Sequence, residues 1–213
     1  MAKRALITER QVRDAKSEGR QVLSVPAGAI VTSLAQDTAK SLGVTLQVGA
    51  QPTPAMSTAP SGPPVVVIGS DHGGYEMKEA IKKKLEGQGL RVIDVGTDSP
   101  ASCDYPDFAY AVAASVASGK ASHGIMIDGV GVGSAMACNK IPGIRAAVGY
   151  VEFAAWNARA HNDANVLTLG SRTLGIEVVH RIVQVFLETY FEGGRHGKRV
   201  DKITDIEKRF ARD

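Results

Sequence analysis

From Val65 onward the chain alternates between short, continuous apolar runs and longer segments with helical spacing, and this alternation leaves few architectures open. VVVIGS (65–70) is followed by a segment that repeats Met77, Ile81 and Leu85 four residues apart and stops at Gly87 and Gly89. The pattern recurs with LRVIDVG, an Ala-rich helix after Pro106, GIMID, a helix through Met136, RAAVGY, a helix through Trp156, NVLTLG and a final pair of helices. Strands that are apolar on both faces and joined by helices build a parallel sheet covered on both sides. The expectation is a doubly wound α/β domain over residues 65–213. Ligands of such sheets bind beyond the carboxyl ends of the strands.

The preceding residues follow other rules. GAQPTPAMSTAPSGPP (49–64) has no charge and no apolar period, and reads as a linker. Before it, TERQVRDAKSEG predicts a short charged helix, QVLSV a strand, and TSLAQDTAKSLG a helix from near Thr32 to Gly43. Residues 1–48 are thus a small α/β appendage, too short to bury a large core alone.

Charge and composition narrow the function. The formal charge of +3 resides in residues 1–60, because residues 61–213 carry 18 basic and 18 acidic side chains. The main body therefore lacks the basic footprint that nucleic-acid binding needs. No apolar run approaches the ~18 residues that span a bilayer. The two cysteines, Cys103 and Cys138, and the absence of a signal-peptide pattern point to a reducing cytoplasm. Cys138 reads as a small core residue, and Cys103 has no base beside it in sequence.

The unusual residues fall at the strand ends. Ser70-Asp71-His72-Gly73-Gly74 sets an acid and an imidazole at the mouth of the sheet; alone, Asp71 would be a helix cap and His72 a turn residue. GIMID ends at Asp128 and enters Gly129-Val130-Gly131-Val132-Gly133-Ser134. Three glycines at alternate positions let N–H groups approach an anion at a helix start. The spacing and the third-strand position differ from a dinucleotide fingerprint, so no nicotinamide cofactor is expected. His161-Asn162-Asp163 ends the helix through Trp156, where a histidine also suits the helix dipole. Gly193-Gly194-Arg195-His196-Gly197-Lys198-Arg199 precedes an amphipathic helix. If that helix has begun by Arg195, then Arg195 and Arg199 share a face suited to a phosphate; otherwise they are a solvated basic helix end. No histidine pair has the spacing of a metal-binding helix, so no metal is expected.

The segments GSDHGGYEMKE, DYPDFA, GIMIDGVGVGSAMACNKIPGIRAA, HNDANVLTLGSR and EGGRHGKRV, in this order, resemble ribose-5-phosphate isomerase B and the galactose-6-phosphate isomerase subunits over roughly residues 65–210. The resemblance implies a Rossmann-like fold and metal-free aldose–ketose isomerisation of a sugar phosphate, ribose 5-phosphate to ribulose 5-phosphate, through an enediolate. It also implies a homodimer or tetramer in which each site borrows residues from a neighbour. Asp71 and His72 would handle the sugar hydroxyls and ring oxygen. Gly129, Val130, Gly131, Val132 and Gly133 would bind the enediolate, His161 would assist ring opening beside Asn162, and Arg195, Arg199 and Arg172 would hold the phosphate.

Two positions depart from the commonest family pattern, Asp128 replacing a cysteine that serves as base and Val130 a threonine. The galactose-6-phosphate isomerase subunits also carry aspartate there. A carboxylate can move the proton when the loop N–H groups share the charge that develops on oxygen. The competing reading has Asp128 only holding the loop amides. The substrate stays open to a six-carbon sugar phosphate, and a non-catalytic sugar-phosphate-binding or scaffold subunit is the rival from another class. Residues 1–48 resemble short segments on enzymes of bacterial microcompartments, which implies docking to a shell or a co-packaged enzyme; the alternative is a small domain that packs on the body.

Overall fold

The computed structural model describes residues 6–25, 29–48 and 64–211. The chain forms two compact units, Met1–Ala59 and Pro60–Asp213. The linker expected over 49–64 lies outside the described residues except for Pro64.

The first unit runs β1 (Leu6–Ile7), α1 (Glu9–Ser17), β2 (Val22–Val25), β3 (Ile30–Val31), α2 (Ser33–Leu42) and β4 (Thr45–Val48). It is a duplicated β-α-β element. β1 pairs in parallel with β3, and β2 with β4 in the register Val22↔Thr45 to Val25↔Val48. Thr8 and Thr32 are the two helix N-caps, the triplet Ala-Lys-Ser recurs at 15–17 and 39–41, and Gly19 and Gly43 both have positive φ. Ile7, Val12, Val25, Ala35, Ala39 and Val44 form its core. The sequence reading found both helices and β2. It missed β1, β3 and β4, because two- to four-residue strands are too short to display a period.

The second unit contains β5 (Val65–Ser70), α3 (Tyr75–Gly87), β6 (Arg91–Asp94), α4 (Tyr105–Ala117), β7 (His123–Asp128), α5 (Val132–Cys138), β8 (Ala146–Val148), α6 (Glu152–Asn162), β9 (Val166–Gly170), α7 (Ile176–Glu188) and α8 (Gly197–Phe210). Its five strands are all parallel, in the order β6-β5-β7-β9-β8. The expected α/β sheet is present, with every strand where the apolar runs predicted it. Alternation along each strand divides the core. Val66, Ile68, Ile125, Ile127, Leu167 and Leu169 pack with α3, α6 and α7, while Val67, Met126 and Val166 pack with α4 and α5. Each fully buried side chain of this size contributes about 1.5–3 kcal/mol relative to exposure. Cys138 lies in the second cluster, its thiol donating to the Ala109 carbonyl at 3.4 Å and pushed up to about 12 by burial.

The sheet's direction of winding reverses beside β5, so the ends of β5 and β7 open onto a crevice. Only glycine fits at position 74, where a Cβ would come within 2.6 Å of the Ile127 carbonyl oxygen. This close approach lets α3 start directly over the end of β7.

His123, at the amino end of β7, lies edge-on to Phe186, and burial together with the Arg159 charge lowers its imidazole to about 4. The unfolded chain therefore takes up this proton before the folded one does, and stability falls as pH drops from about 6.5 to 4. Urea unfolding across this window should show a shallower pH slope for His123→Gln, whose side chain stays neutral. Equal slopes would mean that His123 is not the group responsible.

Candidate active site

At the carboxyl ends of the strands, β5 and β7 deliver two carboxylates to one mouth. The Asp71 N–H donates to the Ile127 carbonyl at 3.2 Å, and Asp71 Oδ1 accepts the Gly74 N–H at 3.0 Å, tying the turn to β7 and to the start of α3. Asp71 is buried, yet its Oδ2 has no hydrogen-bond partner among the described residues. His72 Nδ1 lies 3.2 Å from the Cys103 backbone nitrogen and 3.1 Å from the Cys103 carbonyl oxygen, which ties the ring to the loop before α4. The Cys103 sulfur lies 4.0 Å from the same nitrogen, a neighbour that sequence distance concealed.

Asp128 is also buried, and it binds its own loop. Oδ1 accepts the N–H groups of Val130, at 2.7 Å, and Gly131; Oδ2 accepts the N–H of Ser134, at 3.1 Å, and its hydroxyl. These four bonds match the roughly four acceptor sites of a carboxylate. The expectation that the whole loop offers its amides to an oxyanion is corrected accordingly: Val130 and Gly131 donate inward to Asp128. The N–H groups of Gly129, Val132 and Gly133 have no acceptor among the described residues. Two of the loop glycines sit in close quarters, and Gly131 is held to glycine by its backbone. Gly131 has φ +86 against the backbone of Leu169 and Gly170, and a Cβ on Gly133 would meet the Tyr105 ring at 2.7–2.9 Å. The Val130 and Val132 side chains stand exposed at the rim.

Arg172 belongs to this same end. Its N–H donates to the Gly129 carbonyl at 3.1 Å, and neighbouring Ser171 donates from its N–H to the Asp128 carbonyl and from its hydroxyl to the Gly73 carbonyl. Ser171 thus ties both acid-bearing loops to the end of β9.

The remaining expected residues gather at the opposite end of the sheet. α6 ends there with Asp163 in the left-handed region at φ 46, a conformation secured by Arg145 and Arg159, which bind its two carboxylate oxygens at 2.7 and 2.8 Å. This fixes the last turn, where His161 Nδ1 meets the Asn157 side-chain nitrogen at 2.8 Å and Asn162 donates to Asn157. His196 stacks on His161 with centroids 3.9 Å apart and planes 11° apart. Glu192 reaches Nε2 of both rings at 3.7 Å. Burial, then the charges of His161 and Arg195, lower the His196 imidazole from its ordinary range, opposed by Glu192. Gly193 and Gly194, at φ +64 and +55, delay α8 until Gly197. Arg195 therefore precedes the helix, and its Nε–H donates to His196 Nε2 at 3.2 Å, so the helical i,i+4 pairing of Arg195 and Arg199 is not formed.

One chain therefore does not bring all the expected residues together. Asp71, His72, Asp128, the glycine loop and Arg172 follow β5, β7 and β9, whereas His161, Asn162 and Arg195 lie beyond the start of β8 and β9. The five residues of β9 separate the two groups by about 15 Å at ~3.3 Å per residue. The sequence reading assigned no role to Glu192, His196, Ser171 or Tyr105, and singled out Ser134 only as the position where another branch of the resembled family places a glutamate base. All of these residues lay within the quoted motifs, but nothing in the letters alone showed which groups their side chains would meet.

A family model described as Ribose/Galactose Isomerase matches residues 66–203. The chain belongs to the ribose/galactose isomerase family. Ribose-5-phosphate isomerase B of Escherichia coli K12 is 46% identical over 144 residues, covering 68% of this chain and 97% of that protein. Among solved structures, ribose-5-phosphate isomerase B of Clostridium thermocellum superposes with a TM-score of 0.68 at 48% identity, over 69% of this chain and 99% of that one. The Mycoplasma genitalium enzyme, solved with bound ribulose-5-phosphate, gives a TM-score of 0.65 at 43% identity, over 68% and 96% of the two chains. The family match begins at Val66, so the duplicated N-terminal unit lies outside it.

Within this isomerase fold, the Asp128 bonds are expected to act structurally whatever else the residue does. Asp128→Asn exchanges an acceptor oxygen for an NH2 group that confronts N–H donors, and should destabilise the second unit by about 2 kcal/mol in urea unfolding. An unchanged midpoint would show that the loop is held by other contacts.

Proposed function

We propose that this chain converts ribose 5-phosphate to ribulose 5-phosphate through an enediolate, without a metal or a nicotinamide, in the cytoplasm as part of pentose phosphate metabolism. The observation that carries this reading is the mouth between β5 and β7. Two carboxylates stand there beside N–H groups of Gly129, Val132 and Gly133 that have no acceptor among the described residues and suit a developing oxyanion. The names of the relatives support ribose 5-phosphate over a six-carbon substrate.

In this mechanism His161 assists ring opening, with Asn162 and Asn157 orienting it. His72 and Asp71 bind the sugar hydroxyls, and Arg195, Arg199 and Arg172 bind the phosphate. A carboxylate removes the C2 proton, the loop amides hold the enediolate oxygen on C1, the proton on O2 passes to O1 as the C2 carbonyl forms, and the carboxylate returns its proton to C1. Asp128 is our first choice as that base because of its place in the loop. A second reading, favoured by the four bonds that occupy Asp128, makes it the holder of the loop and gives the proton transfer to Asp71, whose Oδ2 is unpartnered. Turnover measured with chelator present should survive in the wild type. Asp128→Asn should lose at least about 100-fold in kcat if Asp128 is the base. A comparable loss confined to Asp71→Asn would assign the base to Asp71, and binding without turnover on any aldose phosphate would favour the non-catalytic reading.

The active unit in this proposal is a homodimer, alone or within a tetramer, because the two groups of residues lie at opposite ends of one sheet. Exposed apolar side chains support the association, among them Ile203, Ile206 and Phe210 on α8 and Val132, Met136 and Phe153 near the mouth of β7 and β8. After subunit exchange, a mixture of inactive Asp71→Asn and His161→Ala chains should recover about a quarter of wild-type activity. Half the dimers are then mixed, and one of their two sites is intact. No recovery would place each site within one chain.

Residues 1–48 we assign to docking, with 49–64 as the linker and 65–213 as the isomerase domain. A microcompartment shell or a co-packaged enzyme is the partner in this reading. The unit's own small core and its position outside the family match support it.

A further inference from the structure

Three potential metal ligands converge at the amino end of the sheet: His161 Nε2, His196 Nε2 and a Glu192 carboxylate oxygen, all within 4.8 Å of one another. Both nitrogen-to-oxygen separations are 3.7 Å. Ligands about 2.0–2.1 Å from a tetrahedral Zn2+ stand about 3.3 Å apart, so an ion here draws the three atoms together and turns the two imidazoles out of their parallel stack until both Nε2 lone pairs face it. We propose that this cluster is an inhibitory site for a borderline-soft divalent cation, Zn2+ or Co2+, with the His161, His196 and Glu192 side chains as ligands and one position left open.

The surroundings suit that role. His196 Nε2 already presents a lone pair, since it accepts the Arg195 Nε–H at a long 3.2 Å, and an ion would displace that donor. The Asn157 side chain holds His161 at Nδ1. With its amide turned so that the oxygen accepts Nδ1–H, in exchange for the 3.3 Å bond that oxygen takes from Asn162, Asn157 leaves the Nε2 lone pair to the ion and gives the imidazole a second hydrogen-bond partner. The three ligands come from α6 and from the turn before α8, and the Glu192 N–H bond to the Ala160 carbonyl at 2.9 Å fixes these segments together. Arg195 and Arg199 repel any cation here. Only ions that bond strongly to imidazole nitrogen offset this repulsion, which excludes Mg2+ and Ca2+. The ion is no cofactor. It takes the imidazole assigned above to ring opening, so its inhibitory effect rests on the isomerase reading while its binding does not.

The chain's single tryptophan, Trp156, has its ring 5.1 Å from His161 and reports on the site. Full-length protein freed of metal should take up one Zn2+ per chain in equilibrium dialysis, and Co2+ should quench Trp156 emission with the same stoichiometry. Glu192→Gln and His196→Asn should each weaken uptake at least about 10-fold, whereas His180→Ala, remote from the cluster, should not. Turnover should fall as Zn2+ loads and return with chelator. Absence of stoichiometric uptake, or uptake equal in Glu192→Gln, His196→Asn and wild type, would overturn the site. Uptake as expected with turnover undiminished would overturn the inhibition. A metal-free protein with no turnover at all, still binding Zn2+ through these residues, would refute the isomerase assignment and leave the site standing.

Discussion

The Asp128 carboxylate is the point on which the catalytic half of the molecule depends. A glycine-rich loop has the largest conformational entropy to lose, and here one buried side chain takes up three backbone N–H groups and a hydroxyl to hold it. The same residue's carbonyl accepts from Ser171, whose hydroxyl reaches Gly73. Three loops from three strands are thereby locked to one another. The free amides of Gly129, Val132 and Gly133 owe their direction to that lock, because the amides between them are turned inward.

The second constraint is the length of β9. A parallel sheet sends every strand end to the same edge, and helices return the chain to the other edge. Residues after strands and residues after helices therefore lie on opposite sides. His161 follows a helix, and Asp71 and Asp128 follow strands, so no loop adjustment within one chain unites them. The Asp163 clamp by Arg145 and Arg159 reinforces this arrangement by ending α6 in a left-handed residue that would otherwise be costly.

Much of this was legible beforehand, for identifiable reasons. The three central strands, β5, β7 and β9, are apolar on both faces and the helices carry a clear period, so burial dictated type and order together. Asp71, His72, Asp128 and His161 stood out because polar residues at the ends of apolar runs have few structural duties. Glu192 and His196 were illegible because their meaning depends on a turn folding back onto α6, and the delayed start of α8 depends on two glycines at positive φ. The duplication in residues 6–48 was visible in the letters only once the pairing of β1 with β3 and β2 with β4 supplied the register.

The amino-acid sequence by itself determined the sheet, the order of its elements, the family and the residue types at the strand ends, since hydrophobic period and local turn chemistry act over a few residues. Tertiary structure alone decided which of those residues meet. It turned the amides of Val130, Gly131 and Ser134 toward Asp128, left Asp71 with an oxygen that has no partner among the described residues, and drew His161, His196 and Glu192 into one cluster away from both carboxylates. The Asp128 bonds are local, but the ties that orient this loop and gather the histidine cluster join groups tens of residues apart, whose geometry exists only once the sheet has formed.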